Sequence, residues 1–327
     1  MRYRTIGTDP GTRREVSVLA LGAMLFGSVT DEETSFAVLD RYVEAGGNFI
    51  DTSDNYAFWT DGGQGGQSEE LLGRWRRSRG TGDEIVLATK LGARPLAPGT
   101  DYVGNPEGLS AKVIREASER SRERLGVEKI DLLYAHIEDR TVEPGETVRA
   151  FAELVAEGSV GLLGVSNHAV WRVERARALA AAAGLPGYEV LQYHHSLLRP
   201  RSDVPSGLFP EGSLGAATGE LVSYLGAEPG LTLVAYSPLL GGYGRADKPL
   251  SSDYDHPGNA ARLAVLRDVA KETGATLNQV VLAWQIGGEL PVIPLAGASS
   301  VAQLEENLAA VDLELTPDQR ARLDAAH

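Results

Sequence analysis

Cysteine is absent from the 327-residue chain, which rules out disulfides, thiolate catalysis and Cys-ligated zinc. For the same reason thiols say nothing about the redox compartment. No apolar run reaches the roughly 18 residues of a membrane span. The start, Met1-Arg2-Tyr3-Arg4-Thr5, lacks the apolar core of a signal peptide. A cytoplasmic location is therefore expected. Positive charge is scarce: Lys and Arg total 31 against 45 Asp and Glu, a formal net charge of −14. Nucleic acid and anionic membrane need a positive surface and are disfavoured as partners, whereas a few donors suffice to hold a small anion. His-Glu-x-x-His and comparable ligand spacings are missing, so no metal site is expected.

What is present is a regular alternation. Short runs rich in Val, Ile and Leu recur at 17–23, 48–53, 85–90, 131–136, 160–166, 190–194, 231–237 and 291–296. Most are continuously apolar, the pattern of strands buried on both faces of a parallel sheet. Amphipathic segments lie between them. Ser68 before Glu69 and Glu70 predicts a helix cap, with Leu71, Leu72 and Trp75 on one face. Ser110 opens a second helix with Val113, Ile114, Ala117 and Leu125 inward, and Thr316-Pro317 opens the last. Eight strand–helix units fit a closed (β/α)8 barrel, a TIM barrel with extra C-terminal helices, as one domain over 1–327. An open Rossmann sheet would need Gly-x-Gly-x-x-Gly at an early strand–helix turn. The nearest stretch, Gly62-Gly63-Gln64-Gly65-Gly66-Gln67, comes too late and has the wrong spacing. Segments 2–6 and 13–17 flank Thr8-Asp9-Pro10-Gly11, an N-terminal β-hairpin expected to close the barrel bottom.

Active sites of such barrels sit where strands end. The second strand ends in Asp51-Thr52-Ser53-Asp54-Asn55-Tyr56, the third in Lys90 and the fourth in His136. Each residue alone has an ordinary reading: a cap, a solvated lysine, a satisfied rim histidine. Together on one rim they suit carbonyl reduction, in which hydride addition builds an alkoxide that needs a proton and electrostatic support. A tyrosine is a weak acid at neutral pH, and a neighbouring ammonium favours its phenolate. Asp51 would hold Lys90 charged and aimed, while His136 would donate a hydrogen bond to the carbonyl oxygen and orient it.

With these residues laid out, the chain resembles an aldo-keto reductase. Gly46-Gly47-Asn48-Phe49-Ile50-Asp51-Thr52-Ser53-Asp54-Asn55-Tyr56 matches the family's Asp-to-Tyr segment, Ile85-Val86-Leu87-Ala88-Thr89-Lys90 its lysine strand and Asp131-Leu132-Leu133-Tyr134-Ala135-His136 its histidine strand. Gly164-Val165-Ser166-Asn167, Gln192-Tyr193, Ala235-Tyr236-Ser237-Pro238-Leu239 and Gly297-Ala298-Ser299-Ser300 through Glu306-Asn307 follow in the family's order. The resemblance implies a catalytic set of Asp51, Tyr56, Lys90 and His136, with NADPH as cofactor. It implies that Ser166, Asn167 and Gln192 bind the nicotinamide carboxamide and that Tyr236 stacks on the ring. Ser299, Ser300 and Gln303 would meet the adenosine 2′-phosphate, and Glu306 and Asn307 the adenine. Gly22, Ala23, Met24, Ser237, Pro238, Leu239, Gly241 and Gly297 complete the implied cofactor contacts.

The chain departs from many relatives in lacking Lys near Gly297 and Arg at Gln303. Arg245 or Lys248 would supply that charge, or both are ordinary solvated residues. Phe58 and Trp59, just after Tyr56, are expected to wall the pocket for a small-molecule carbonyl, a sugar among the options. The 199–214 loop with Phe209 is expected opposite. Two other roles suit the same barrel: a cofactor-binding regulatory partner with slow chemistry, and an isomerase or aldolase using Lys90 as a Schiff base. Neither substrate identity nor oligomeric state follows from the sequence.

Overall fold

Continuously apolar strands need apolar layers on both sides. In the computed structural model, which describes residues 1–60, 63–97, 105–203, 211, 214–243 and 250–326, all eight runs lie side by side in one closed sheet. A separate ladder precedes it: β1 (Tyr3–Ile6) runs antiparallel to β2 (Arg14–Ser17), with Tyr3 opposite Ser17 and Ile6 opposite Arg14. Asp9 forms the turn, its Oδ1 accepting from Gly11 N at 2.6 Å and its carbonyl oxygen from Thr12 N and Arg13 N.

The chain then alternates β3 (Ala20–Gly22), α1 (Glu32–Glu44), β4 (Phe49–Asp51), α2 (Gln67–Arg79), β5 (Val86–Leu91), α3 (Ala111–Leu125), β6 (Ile130–Ala135) and α4 (Pro144–Ala156). It continues with β7 (Val160–Ser166), α5 (Val170–Ala182), β8 (Val190–His194), α6 (Gly219–Ala227), β9 (Thr232–Tyr236), α7 (Pro257–Thr273) and α8 (Leu277–Ile286). Last come β10 (Val292–Gly297), α9 (Val301–Ala309) and α10 (Pro317–Ala325). The barrel closes in the order β10-β3-β4-β5-β6-β7-β8-β9, every pair parallel. Two helices exceed the eightfold pattern: α7 and α8 both follow β9, and α10 follows α9 at the C-terminal end, where extra helices are expected. Among the described residues no helix is long and apolar enough to cross a membrane.

Inside the barrel, Phe49, Val86, Leu132, Leu162, Val190, Val234 and Ile293 pack on one another, and Ile6 and Val16 of the hairpin join them from below. Each such burial contributes about 1.5–3 kcal/mol. The hairpin is thus a plug, as the sequence predicts. Ser110 caps α3 by accepting from Val113 N, and Thr316 forms a capping box with Gln319 around Pro317. Ser68 is not a cap. Its hydroxyl is taken by Ala23 O at 2.7 Å, and α2 begins instead at left-handed Gly66 with no side-chain cap.

Candidate active site

Asp51 ends β4, and its register opposite Ala88 brings Lys90, two residues on, beside its carboxylate. Lys90 is fully buried, and its ammonium spends three donors inside the protein: Asp51 Oδ1 at 2.5 Å, Thr52 O at 2.7 Å and Tyr56 Oη at 2.9 Å. Since an ammonium has three donors, this nitrogen is satisfied. The second Asp51 oxygen accepts from Gln192 Nε2 at 2.8 Å. Burial alone would lower the Lys90 pKa, but the charge of Asp51, helped by Tyr56, outweighs it and leaves the ammonium favoured. Burial pushes Asp51 up, opposed by Lys90 and Gln192. His136 follows β6, its ring edge-on to Tyr56 with centroids 6.1 Å apart. Burial first, then Lys90, holds its pKa well below the usual imidazole range, so the ring is neutral at neutral pH.

The loop carrying Tyr56 is fixed from beneath. Thr52 N and Asp54 N donate to Ala88 O and Lys90 O at 2.8 and 3.0 Å, continuing the strand pairing past Asp51. Arg124 Nη1 reaches Glu69 Oε2 at 3.2 Å and Asp54 O at 3.4 Å, while Glu69 Oε1 accepts from Thr89 Oγ1 at 2.6 Å. The guanidinium occupies the place of any side chain at Gly66, where a Cβ would lie 2.4 Å from Arg124 Cζ and φ is +93°. The Asp54 carboxyl is fully buried, and burial, then Glu107 and Glu69, raises it well above the carboxylate range. None of this support was foreseen from sequence, because Glu69 and Arg124 read as ordinary helix-surface charges.

A buried lysine bridging a carboxylate and a tyrosine at the C-terminal rim of a parallel barrel is the geometry that the motif order predicts. The family model described as the aldo/keto reductase family matches residues 18–327. The chain belongs to that family. It is 31% identical to norsolorinic acid reductase of Aspergillus flavus, over 99% of this chain and 80% of that protein. It is 32% identical to the uncharacterized oxidoreductase YrpG of Bacillus subtilis, over 96% and 92%. Against aryl-alcohol dehydrogenase [NADP(+)] of Phanerodontia chrysosporium the identity is 30%, over 97% and 84%. As an aldo/keto reductase the chain is an oxidoreductase, and NAD(P)H is the cofactor of its family.

The residues expected at the cofactor cluster along the adjoining rim. Asn167, just past β7, donates from Nδ2 to His136 O at 3.1 Å and to Ser166 Oγ at 2.9 Å; its Oδ1 accepts from Tyr236 Oη at 2.9 Å. Ser166 Oγ donates to Gln192 O at 2.7 Å. Of the four described non-glycine residues with positive φ, three lie here: Asn167 at +55°, Ser237 at +51° and Leu240 at +54°. Such strained backbone concentrates where ligands are held. An aromatic plate fastened at its hydroxyl, as Tyr236 is, suits a flat ring stacked on it, so these residues fit a nicotinamide. Gly22 lies at the end of β3, Ala23 is buried beyond it, and Met24 is exposed. Pro238 O accepts from Ser196 Oγ, Leu239 packs on the apolar clusters around α8, and Gly241 has φ +84°.

At the other end Ser300 caps α9 through Gln303 N, and Ser299 gives its N–H and hydroxyl to Gln303 Oε1 at 2.9 and 3.0 Å. Helix N-termini of this kind receive phosphates. Glu306 Oε1 accepts from Thr276 Oγ1 at 2.7 Å, and Asn307 Nδ2 donates to Gly297 O at 3.3 Å. Residues 297–307 contain no Lys or Arg. Arg245, Lys248 and Phe209 lie outside the described residues. Phe58 is half-buried and Trp59 is 44% exposed, the two rings 5.0 Å apart and Trp59 6.2 Å from Tyr56. Among the described residues no group of three or more His, Asp or Glu side chains could hold a metal.

Proposed function

We propose that this single-domain aldo/keto reductase reduces an aldehyde or ketone to the alcohol with NADPH, and that Tyr56 is the proton donor. Ser166, Asn167, Gln192 and Tyr236 hold the nicotinamide end, and Ser299, Ser300 and Gln303 the 2′-phosphate end. When bound, the cofactor supplies hydride to the carbonyl carbon. Tyr56 Oη delivers its proton to the carbonyl oxygen as negative charge develops there. Lys90, hydrogen-bonded to the same phenol oxygen, stabilises the phenolate left behind, and Asp51 keeps that ammonium charged and aimed. The contact of Lys90 Nζ with both Asp51 and Tyr56 carries the reading. The intact Asp51, Tyr56, Lys90 and His136 set argues against a binding protein with a dead site.

The wall formed by Phe58 and Trp59 favours aryl carbonyls over sugars, since apolar and aromatic side chains line pockets for apolar ligands. The names of the relatives, which refer to norsolorinic acid and aryl alcohols, support the same choice. NADPH over NADH rests on the relative named for NADP(+) and on the capped α9 N-terminus. Nucleotide oxidation measured over a panel of aryl, aliphatic and sugar carbonyls tests both points. No turnover of any carbonyl with either nucleotide rejects the activity; a higher kcat/KM with NADH rejects the cofactor assignment alone.

A further inference from the structure

Ser53 and Asn55 lie between the two ends of the Asp51–Tyr56 segment, and the mechanism above uses neither. Both are buried, and their hydrogen bonds run in one direction. Asn55 Nδ2 donates to Ala93 O at 3.1 Å. The flipped amide would set two carbonyl-type oxygens against each other, so this contact fixes Asn55 Oδ1 on the opposite side. There it meets Ser53 Oγ at 2.8 Å. Two oxygens at that distance need a proton between them, and Asn55 Oδ1 has none to give. The Ser53 hydroxyl is therefore the donor; its other acceptor, Lys90 O, lies farther off at 3.3 Å. With its one proton committed, Ser53 Oγ faces His136 Nδ1 at 3.0 Å with lone pairs only. A hydrogen bond at that distance requires the proton to sit on Nδ1.

We propose that Ser53 is a positioning residue which, held by Asn55, fixes His136 as the Nδ1–H tautomer, so that its Nε2 offers a lone pair to the hydroxyl of the alcohol. The chain runs from His136 Nδ1–H to Ser53 Oγ, from Ser53 O–H to Asn55 Oδ1, and from Asn55 Nδ2–H to Ala93 O, where a backbone carbonyl ends it. The ring is held in place as well as in tautomer: His136 N donates to Leu91 O at 2.9 Å, and its carbonyl oxygen accepts from Asn167 Nδ2. Burial and Lys90 keep the imidazole neutral, so it carries one ring proton and the tautomer decides what it can do.

This changes the role expected for His136 from sequence, which was to donate to the carbonyl oxygen. A neutral Nδ1–H imidazole cannot donate from Nε2. It accepts instead, and the matching ligand is the hydroxyl hydrogen of the alcohol. Tyr56 is then the one side chain of the catalytic set that donates to the carbonyl, and His136 grips the alcohol formed on reduction or consumed on oxidation. The proposal rests on the proposed function only in taking the substrate oxygen to lie within reach of His136, as expected from sequence; the tautomer itself follows from contacts within the protein.

The test uses the full-length chain with 15N-labelled histidine, read by long-range proton–nitrogen correlation, with His136→Gln identifying the resonances. A protonated Nδ1 and an unprotonated Nε2 are expected, and the reverse pattern overturns the proposal. This spectrum of the unaltered protein decides the tautomer whether or not any variant folds, and whether or not any carbonyl is turned over. In Ser53→Ala the His136 signals should move to a mixture of tautomers, while Ser53→Thr, which keeps the hydroxyl, should retain the original pattern. Losing one oriented hydrogen bond should raise KM for the alcohol by about 2- to 10-fold. KM for the carbonyl should not rise. A rise confined to the carbonyl, or an unchanged tautomer in Ser53→Ala, would mean that Ser53 does not set the ring.

Discussion

Replacing Lys90 with methionine separates what the buried ion pair does for stability from what it does for chemistry. Lys90 and Asp51 are 0% and 1% exposed, so neither charge has water to fall back on. In Lys90→Met, Asp51 keeps only the Gln192 amide, and Thr52 O loses its donor. Stranding one member of a buried pair costs about 3–5 kcal/mol, more than the lost Coulomb attraction of an exposed pair would suggest. Removing both charges, in Lys90→Met with Asp51→Leu, should recover most of that loss, because the desolvation penalty goes with them. The activity of the two variants should not part in this way. Tyr56 loses a charged hydrogen-bond donor worth about 1.5–3 kcal/mol, a fall in kcat of about 10- to 150-fold, in the single and the double variant alike. Urea unfolding at neutral pH measures the first quantity and steady-state kinetics the second. A single variant destabilised by less than about 1 kcal/mol, or a double variant no more stable than the single, would refute the argument from buried charge.

Three further outcomes follow from the same structure. Gly73→Ala in α2 should gain about 1 kcal/mol by helix propensity, but its Cβ would sit 2.1 Å from Arg124 O. The clash wins because backbone cannot yield cheaply, so thermal unfolding should show net destabilisation of about 1–3 kcal/mol; a stabilised variant contradicts the close α2–α3 contact. Trp59→Ala should lower kcat/KM for aryl carbonyls about tenfold while leaving the Kd for NADPH unchanged, and equal losses across aryl and small aliphatic substrates would remove Trp59 from the pocket wall. Burial lowers His168 to about 4, so its share of stability is present in full above the unfolded value and is lost as pH falls from there towards 4. Between pH 7 and 5 the wild type should lose about 2 kcal/mol more than His168→Gln, and parallel Tm–pH curves for the two proteins would disprove it.

Most of the barrel was legible because parallel strands buried on both faces leave continuous apolar runs, and each of the eight runs overlaps a barrel strand. The clustering of the candidate site residues on one rim was legible because they stand at strand ends, where the fold aims them. Ser68 misled because a serine before two acids resembles a cap, whereas the positive φ of Gly66 and a tertiary contact to Ala23 O decide its place. The props under the Tyr56 loop were not legible. Arg124, Glu69 and Asp54 come from separate elements with no shared spacing, and only the closed barrel brings them together. Ser53 and Asn55 stood in the motif, yet the direction of their hydrogen bonds depends on Ala93 O, which the sequence does not place.

The central claim is that Tyr56 supplies the proton. Tyr56→Phe removes that hydroxyl and keeps the ring, so NADPH should bind with unchanged Kd while kcat for carbonyl reduction falls by about 10²- to 10⁴-fold. Near-wild-type kcat in Tyr56→Phe, with the nucleotide bound, would contradict the account.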